Sequence, residues 1–305
     1  MNTIAIAIPS RTEIFLKRTI EDVLEKSVTD IKVYPILDGY DPPANEIIDD
    51  RRVCYVRLPR SSKTQKRHGI NHVVDISNSK YVMSLDAHCM LDKGWDEILL
   101  RDIEDDWIVI PRRNRLDAKN WCIQKQSDAR PPIDYEYVMY PPKFDPIGFH
   151  GYKWDERTLS RWDKKIDDTI TMQASMWVMS RDWYKRNEFM QVEGFTGWGQ
   201  EAEELCFKTW MRGGRVVTNK NTSYSHLHKG REYGRMYFLP KSDTRSCNAY
   251  AIDYFVNNRD KKRIHDFVWL FEKFMPMPGW PKGWQEKLYS KNVQDIIGKQ
   301  LETYK

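Results

Sequence analysis

The sequence predicts an α/β protein, a mainly parallel sheet flanked by helices and followed by a helical extension. Three observations carry this expectation. The N-terminal third alternates short apolar runs with stretches of helical spacing in the order βαββαβ, which calls for crossover helices and puts ligands at the carboxyl ends of the strands. One of these runs, Tyr81 to Leu85, leads directly into a polar tip, Asp86-Ala87-His88. The chain of 305 residues is 40% hydrophobic and 13% aromatic, enough to bury one large core with or without an appendage.

The elements follow in order. Thr3 to Ile8 reads as a short apolar strand ended by Pro9-Ser10-Arg11. Thr12 to Lys26 has apolar residues at helical spacing, with Thr12 as its N-cap. Ile31 to Leu37 is a second strand ending at Asp38-Gly39, Val53 to Leu58 a third, and Gln65 to Ile76 a second helix. After the Tyr81 strand, Gly94 introduces a helix over Trp95 to Leu100, and Trp107 to Pro111 is a further buried strand. Residues 112–165 are rich in Pro, Tyr, Trp and Asp and show little periodicity, a pattern that marks functional or mobile segments. Their aromatics, Tyr135, Tyr137, Tyr140, Phe149, Tyr152 and Trp154, read either as a packed loop layer or as stacking surfaces for a sugar or base. Thr171 to Tyr184 reads as a strand running into a helix, and the turn Trp198-Gly199-Gln200-Glu201 introduces a helix over Glu203 to Arg212. Beyond residue 240, Asn248 to Asn257, Ile264 to Phe274 and Lys287 to Tyr304 show helical spacing, interrupted by Pro276 to Pro281. The expected division is therefore a main domain over residues 1–240 and a helical extension over 241–305.

Charge and cysteine usage narrow the class. No run of 18 apolar residues exists, and the first residues read as a strand rather than a signal segment, so the expectation is a cytoplasmic protein without a membrane. Five scattered cysteines with no C-x-x-C pair are expected as reduced thiols. A net charge of +5 is modest, but Lys63 to His68, Lys229 to Arg235 and Arg259 to Arg263 are basic clusters that suit a diphosphate or a polyanionic acceptor such as DNA. No obligate protein partner is evident.

Asp86 and His88, one residue apart at a strand end, put an oxygen and a nitrogen ligand on the same side of the backbone. Such a pair suits a divalent cation such as Mn2+; a surface pair satisfied by water is the plain alternative.

Three blocks carry a family resemblance. The segment DAHCMLDKGWDEILL closely resembles the Asp-x-His segment of the polypeptide N-acetylgalactosaminyltransferases, and more loosely the Asp-x-Asp segment of other GT-A nucleotide-sugar glycosyltransferases. Gly194 to Gly214 is similar to their Trp-Gly-Gly-Glu turn and helix, and Ser223 to Lys229 to the segment of their later metal histidine. The resemblance implies a GT-A (Rossmann-like) fold and a metal-dependent transfer from a nucleotide sugar, UDP-linked, to an acceptor hydroxyl. It implies Asp86, His88 and His226, rather than His228, as ligands of Mn2+ or Mg2+. It places Pro9, Ser10, Arg11, Asp38, Asp86, Ala87, Gln173, Ala174 and Ser175 around the donor, although Asp38-Gly39 reads equally well as a plain turn. Either Lys66 or Arg67 would reach the diphosphate, and Arg231 and Tyr233 would sit on a loop closing over it. Trp198, Gln200 and Glu201 would form the catalytic turn. Ala174 and Ser175 stand where the family has two glycines, which leaves the donor sugar open. Ala202 stands where inverting GT-A enzymes place a general base, so retention of configuration is expected. Residues 112–165 and 241–305 match nothing in the family, and the acceptor stays open between protein, glycan and modified DNA. A nucleotide-sugar-binding or carbohydrate-binding protein without turnover, and a nucleotide-sugar hydrolase, share the same donor-side features.

Overall fold

The computed structural model describes residues 3–60, 65–125, 130–230, 232–234 and 241–304. The first half contains β1 (Ile4–Ser10), α1 (Leu16–Lys26), β2 (Ile31–Asp38), β3 (Val56–Leu58), α2 (Gln65–Ile76), β4 (Tyr81–Leu85), β5 (Cys89–Leu91), α3 (Trp95–Asp102), β6 (Trp107–Asp117), β7 (Cys122–Ile123) and β8 (Glu136–Val138). The second half contains β9 (Gly151–Lys153), α4 (Asp155–Ser160), β10 (Ile166–Asp168), β11 (Met176–Ser180), α5 (Arg181–Arg186), α6 (Glu201–Met211), β12 (Arg215–His226), α7 (Lys241–Val256), α8 (Phe267–Phe274), α9 (Trp284–Leu288) and α10 (Lys291–Tyr304).

The central sheet runs β10-β12-β6-β11-β4-β1-β2-β3, with β5 added to β12 and β7 to β6. β3, β2, β1 and β4 are mutually parallel, as are β6 and β12. β11 lies between these two parallel groups and runs against both β4 and β6, while β10 runs against β12. The strands Ile4 to Ile8 and Tyr81 to Leu85 are buried on both faces, as a sheet covered by helices requires. The α/β class expected from the alternating pattern is thus present, as a mixed rather than purely parallel sheet.

Helix α1 buries Leu16, Ile20 and Val23, positions i, i+4 and i+7 on one stripe. It begins four residues later than expected. Thr12 adopts φ 55° and Phe15 occupies the cap position without a side-chain cap, so the segment from Arg11 to Phe15 is a true strand-to-helix turn at the sheet's carboxyl edge.

Strand β6 does not stop at Pro111. It continues to Asp117 because β12 stays alongside it, with a register shift between Asn219 and Ser223. The stretch 112–165 is therefore partly ordered structure, and its aromatics divide. Tyr135 and Phe149 are core residues, the latter edge-on to Phe207 at 5.1 Å. Tyr152 remains half exposed. The C-terminal helices share the same core: Phe255 meets Phe207 at 5.2 Å, Phe271 meets Phe207 at 5.5 Å, and Arg212 grips Asp260 with two bonds of 2.8 Å. All five cysteines are free thiols, and among the described residues no helix is long and apolar enough to cross a membrane.

The basic run at Arg259 to Arg263 is occupied locally. Arg259 pairs with Asp253, Lys262 with Glu188 at 2.9 Å, and Arg263 donates to the Asp260 carbonyl at 2.9 Å. Arg259 and Lys262 nevertheless keep more than two fifths of their side chains exposed, and Lys261 and Arg263 are exposed as well, so these local pairs leave the run a solvated cationic surface.

Candidate active site

The carboxyl end of β4 is where the site is built. β5 pairs antiparallel with the end of β12 so that His226 is opposite Cys89, and Leu227 N donates to the His88 carbonyl at 3.2 Å. This pairing brings His226 to the Asp86-x-His88 tip across 138 residues of chain. His226 Nε2 lies 3.4 Å from Asp86 Oδ2 and 3.1 Å from His88 Nε2, and one ligand atom from each of the three residues falls within 4.8 Å of the others.

The electrostatics favour ligand forms. Burial alone would raise the Asp86 carboxyl, but Lys66, His226 and His88 outweigh it and hold it well below the usual carboxylate range. Burial pushes the His226 imidazole down to about 3, against the pull of Asp86, so it is neutral at physiological pH. Two imidazole Nε2 atoms facing each other at 3.1 Å cannot both carry protons, so at least one presents its lone pair beside Asp86. An ionised carboxylate with two imidazoles fits a divalent transition metal such as Mn2+. The far side of His88 is backed by Glu13, whose Oε2 lies 3.4 Å from Nδ1 and which also accepts from Lys229 Nζ at 2.6 Å. A carboxylate behind a ligand imidazole orients the ring and raises its basicity.

This tip opens on a cavity of about 760 Å3, within the range of small-ligand sites. Of the residues implied by resemblance, Pro9, Ser10, Arg11, Asp38, Lys66, Arg67, Ala87, Gln173, Ala174, Ser175, Trp198, Gln200 and Glu201 all border it with the three metal candidates. Arg11 pairs with Asp38, the Ser10 and Tyr40 hydroxyls share a hydrogen bond, and Asp38 Oδ1 is buried without a hydrogen-bond partner among the described residues. That orphan acceptor fits a ligand better than a plain turn does.

Lys66 and Arg67 separate clearly. Lys66 Nζ reaches Asp86 Oδ1 at 3.3 Å and the Ala174 carbonyl at 3.4 Å, at the cavity. Arg67 is fully buried and forms an ion pair with Glu204, its guanidinium 4.9 Å from the Phe195 ring. Its charge is spent on the protein, so the expectation of Arg67 as a diphosphate contact is corrected in favour of Lys66. Tyr233 packs edge-on against Phe15 at 5.4 Å and does not border the cavity. Arg231 lies outside the described residues.

The Ser175 hydroxyl is bonded to the Tyr224 hydroxyl at 2.7 Å and donates to Gln173 Oε1 at 3.1 Å; the same Gln173 oxygen accepts from Arg113 at 2.6 Å. The turn Trp198-Gly199-Gln200-Glu201 and the preceding Gly197 are held in unusual backbone geometry, with Gly197 at φ 98°, Gly199 at φ 109° and Gln200 at φ 60°. At Gly197 an added Cβ would meet the Asp243 carbonyl at 2.3 Å, so only glycine fits there. Trp198 is 42% exposed at the rim, whereas Gln200 donates inward to the Phe149 carbonyl at 2.9 Å and ties the turn to the loop layer.

Several cavity residues escaped sequence reasoning: Glu13, Glu136, Thr244 and Asn248. Glu203, a possible base beside Ala202, and His228, set aside in the sequence in favour of His226, also border the cavity. Glu13 and Asn248 had no signal, because nothing local ties them to the β4 tip.

Residues 5–187 match the model of glycosyl transferase family 2. Among curated proteins, the chain is 24% identical over 194 residues to the putative polypeptide N-acetylgalactosaminyltransferase 13 of Drosophila melanogaster, covering 59% of this chain and 31% of that protein. It is 22% identical over 302 residues to the probable N-acetylgalactosaminyltransferase 7 of Caenorhabditis elegans, covering 84% and 48%. The chain thus spans half or less of the length of these relatives. Among solved structures, GalNAc-T7 with UDP, GalNAc and Mn2+ superposes with a TM-score of 0.67 at 14% identity, over 90% of this chain and 56% of that one. S. aureus TarS superposes with a TM-score of 0.57 at 9% identity, over 95% and 44%. The structural likeness shows a GT-A-like α/β fold, and the family match, which spans more than half of the chain, shows that this protein belongs to glycosyl transferase family 2.

Proposed function

We propose that this chain is a metal-dependent glycosyltransferase that moves a sugar from a UDP-linked donor to an acceptor hydroxyl with retention of configuration. The observation that carries the reading is the convergence of Asp86, His88 and His226 at the mouth of the 760 Å3 cavity. The similar structure of GalNAc-T7 with UDP, GalNAc and Mn2+ supports it. These three residues would hold the cation, which when bound supplies positive charge beside the leaving nucleoside diphosphate. Lys66, directed at the same place, adds a second positive charge. Asp38 offers an acceptor for the nucleoside, and the Trp198 rim offers an apolar face to a sugar.

The retaining course is supported by the state of the glutamates after Ala202. Glu204 is locked between Arg67 and Lys208, the latter at 2.6 Å, and is unavailable as a base. Glu203 is pushed up to about 8 by burial and by neighbouring Glu201 and Glu136, so it is protonated at neutral pH and accepts no proton. Only Glu201 is left beside the cavity as a candidate base on this helix.

Calorimetry of UDP binding with and without Mn2+ tests the donor half. Metal-dependent binding that disappears in Asp86→Ala, with the fold retained, is the expected result; undiminished Mn2+-dependent binding in that variant overturns the metal assignment. NMR of the anomeric proton of the product, from an α-linked UDP-sugar, tests the course: a β-linked product makes Glu201 the base and removes retention. Turnover of donor only to free sugar, across a panel of acceptors, returns the hydrolase reading.

A further inference from the structure

A second, smaller cavity of about 310 Å3 adjoins the first and shares Glu136, Gly151, Gln173 and His228 with it. It is strongly cationic: Arg113, Arg115, Arg130 and Lys153 border it. The first two come from the part of β6 beyond Pro111, one residue apart and so on one face, with Arg113 opposite Tyr224 and Arg115 opposite His226 on β12. Two acidic groups lie near it, each already in an ion pair, although Asp155 Oδ1 has no hydrogen-bond partner among the described residues. Glu136 accepts from Arg113 at 2.6 Å, and Asp155 is paired with Lys153. Arg115 donates only to the Pro131 carbonyl, at 2.8 Å, and among the described residues neither Arg115 nor Arg130 has a carboxylate partner.

Such crowding is costly without a counter-charge. Arg113 is 5% exposed, and its Nε is buried with no hydrogen-bond partner. Burial together with Arg130 and Arg113 lowers the Arg115 guanidinium, with Asp155 acting in the opposite sense. Guanidinium forks converging in a recess match the several oxygens of a phosphate group, each able to take two parallel bonds.

We propose that the pocket formed by Arg113, Arg115 and Arg130 binds a phosphate group carried by the acceptor, placing an adjacent hydroxyl in the donor cavity across the shared wall. The proposal rests on the glycosyltransferase reading for the word acceptor, but the anion site stands on its own residues. It also gives a use to Arg113 and Arg115, which lie on β6 opposite Tyr224 and His226 of β12, and to Arg130 in the loop before β8. The substrate class it names is a phosphate-bearing molecule with a free hydroxyl.

The test keeps the donor diphosphate out of the way. With UDP and Mg2+ saturating, thermal unfolding is followed as inorganic phosphate is raised, against sodium chloride at equal ionic strength. Phosphate should raise the midpoint beyond chloride, by mass action on the folded state. The apparent phosphate affinity should fall about tenfold or more in Arg130→Gln and in Arg115→Gln, as expected for loss of a charge-assisted contact. UDP affinity should stay unchanged in both, which also confirms that they fold. A phosphate response equal to that of chloride, or one that persists in both variants, overturns the site. Should UDP fail to bind the wild-type protein, the donor reading fails, and the same titration without UDP still decides the phosphate pocket. Glycerol phosphate and dimethyl phosphate, run in parallel, distinguish a monoester from a diester as the natural group.

Discussion

Replacing Glu203 by Gln should make the protein's stability much less sensitive to pH between about 4.5 and 8. Glu203 sits in the first turn of α6, 7% exposed, in the wall of the main cavity. Burial is the largest influence on its carboxyl, Glu201 and Glu136 add repulsion, and Arg67 opposes them only in part, leaving it at about 8 against an ordinary 4.5. The helix N-terminus favours the charged form, but by at most about 2 kcal/mol at such a buried position, too little to reverse the burial. The sign follows from linkage: the folded protein keeps a proton that the unfolded chain releases. This contribution is fully present below about 4.5 and is lost as pH rises through about 8. At roughly 1.4 kcal/mol for each pH unit of difference, the loss approaches about 5 kcal/mol by pH 9, as much as a marginal domain possesses. Gln keeps the shape and cannot ionise. Urea unfolding at pH 5, 7 and 9 should therefore show the wild type losing several kcal/mol relative to Glu203→Gln across this window. Parallel stability curves for the two proteins would show that Glu203 is already ionised at neutral pH, and would return it to the candidate bases for catalysis.

The remaining predictions concern residues whose roles the structure separates. Arg67→Met should cost about 3–5 kcal/mol in urea unfolding, because it strips a buried charge partner from Glu204; a loss of UDP affinity with no loss of stability would instead make Arg67 a donor contact. Glu13→Gln should weaken Mn2+ binding about 10–100-fold, measured by calorimetry with Mn2+ alone, since Glu13 stands behind His88. Unchanged Mn2+ affinity there would reduce Glu13 to a partner of Lys229.

What was legible in the sequence were features that local pattern dictates. The Tyr81 to Leu85 strand and the Gln65 to Ile76 helix lie where periodicity placed them, since apolar residues in these stretches face a core covered on both sides. The Asp86 and His88 pair was offered by spacing at a strand end, but His226 was found through resemblance, because it arrives by a β5–β12 pairing that no local signal announces. Lys66 and Arg67 show the limit well. Two adjacent cations on a helix point about 100° apart, and only the partners decide which is sunk among Glu204 and Phe195 and which looks into the cavity. The Arg113 and Arg115 pair was hidden by Pro111, which read as the end of a strand. Pro111 instead lies opposite Asn219, at the point where the register with β12 slips.

That slip is what relates the two cavities. Before it, Asn219 is opposite Pro111; after it, Ser223 is opposite Arg112, so β12 carries three more residues than β6 over the same length. The extra turn is pinned from outside the site. Asn219 and Asn221 both donate to Asp102 at the end of α3, at 2.9 and 3.0 Å, and Ser223 is held by Asp92 through bonds of 2.8 and 2.7 Å. Strand pairing resumes with His226 opposite Arg115 and Tyr224 opposite Arg113. A slip of one residue would carry every later side chain to the opposite face, taking His226 from the Asp86 tip and opening the arginine pair to a different neighbour. The positions of His226 and of the Arg113 and Arg115 pair are therefore set by one backbone irregularity, and a chain that keeps the first in place keeps the second at a fixed register from it.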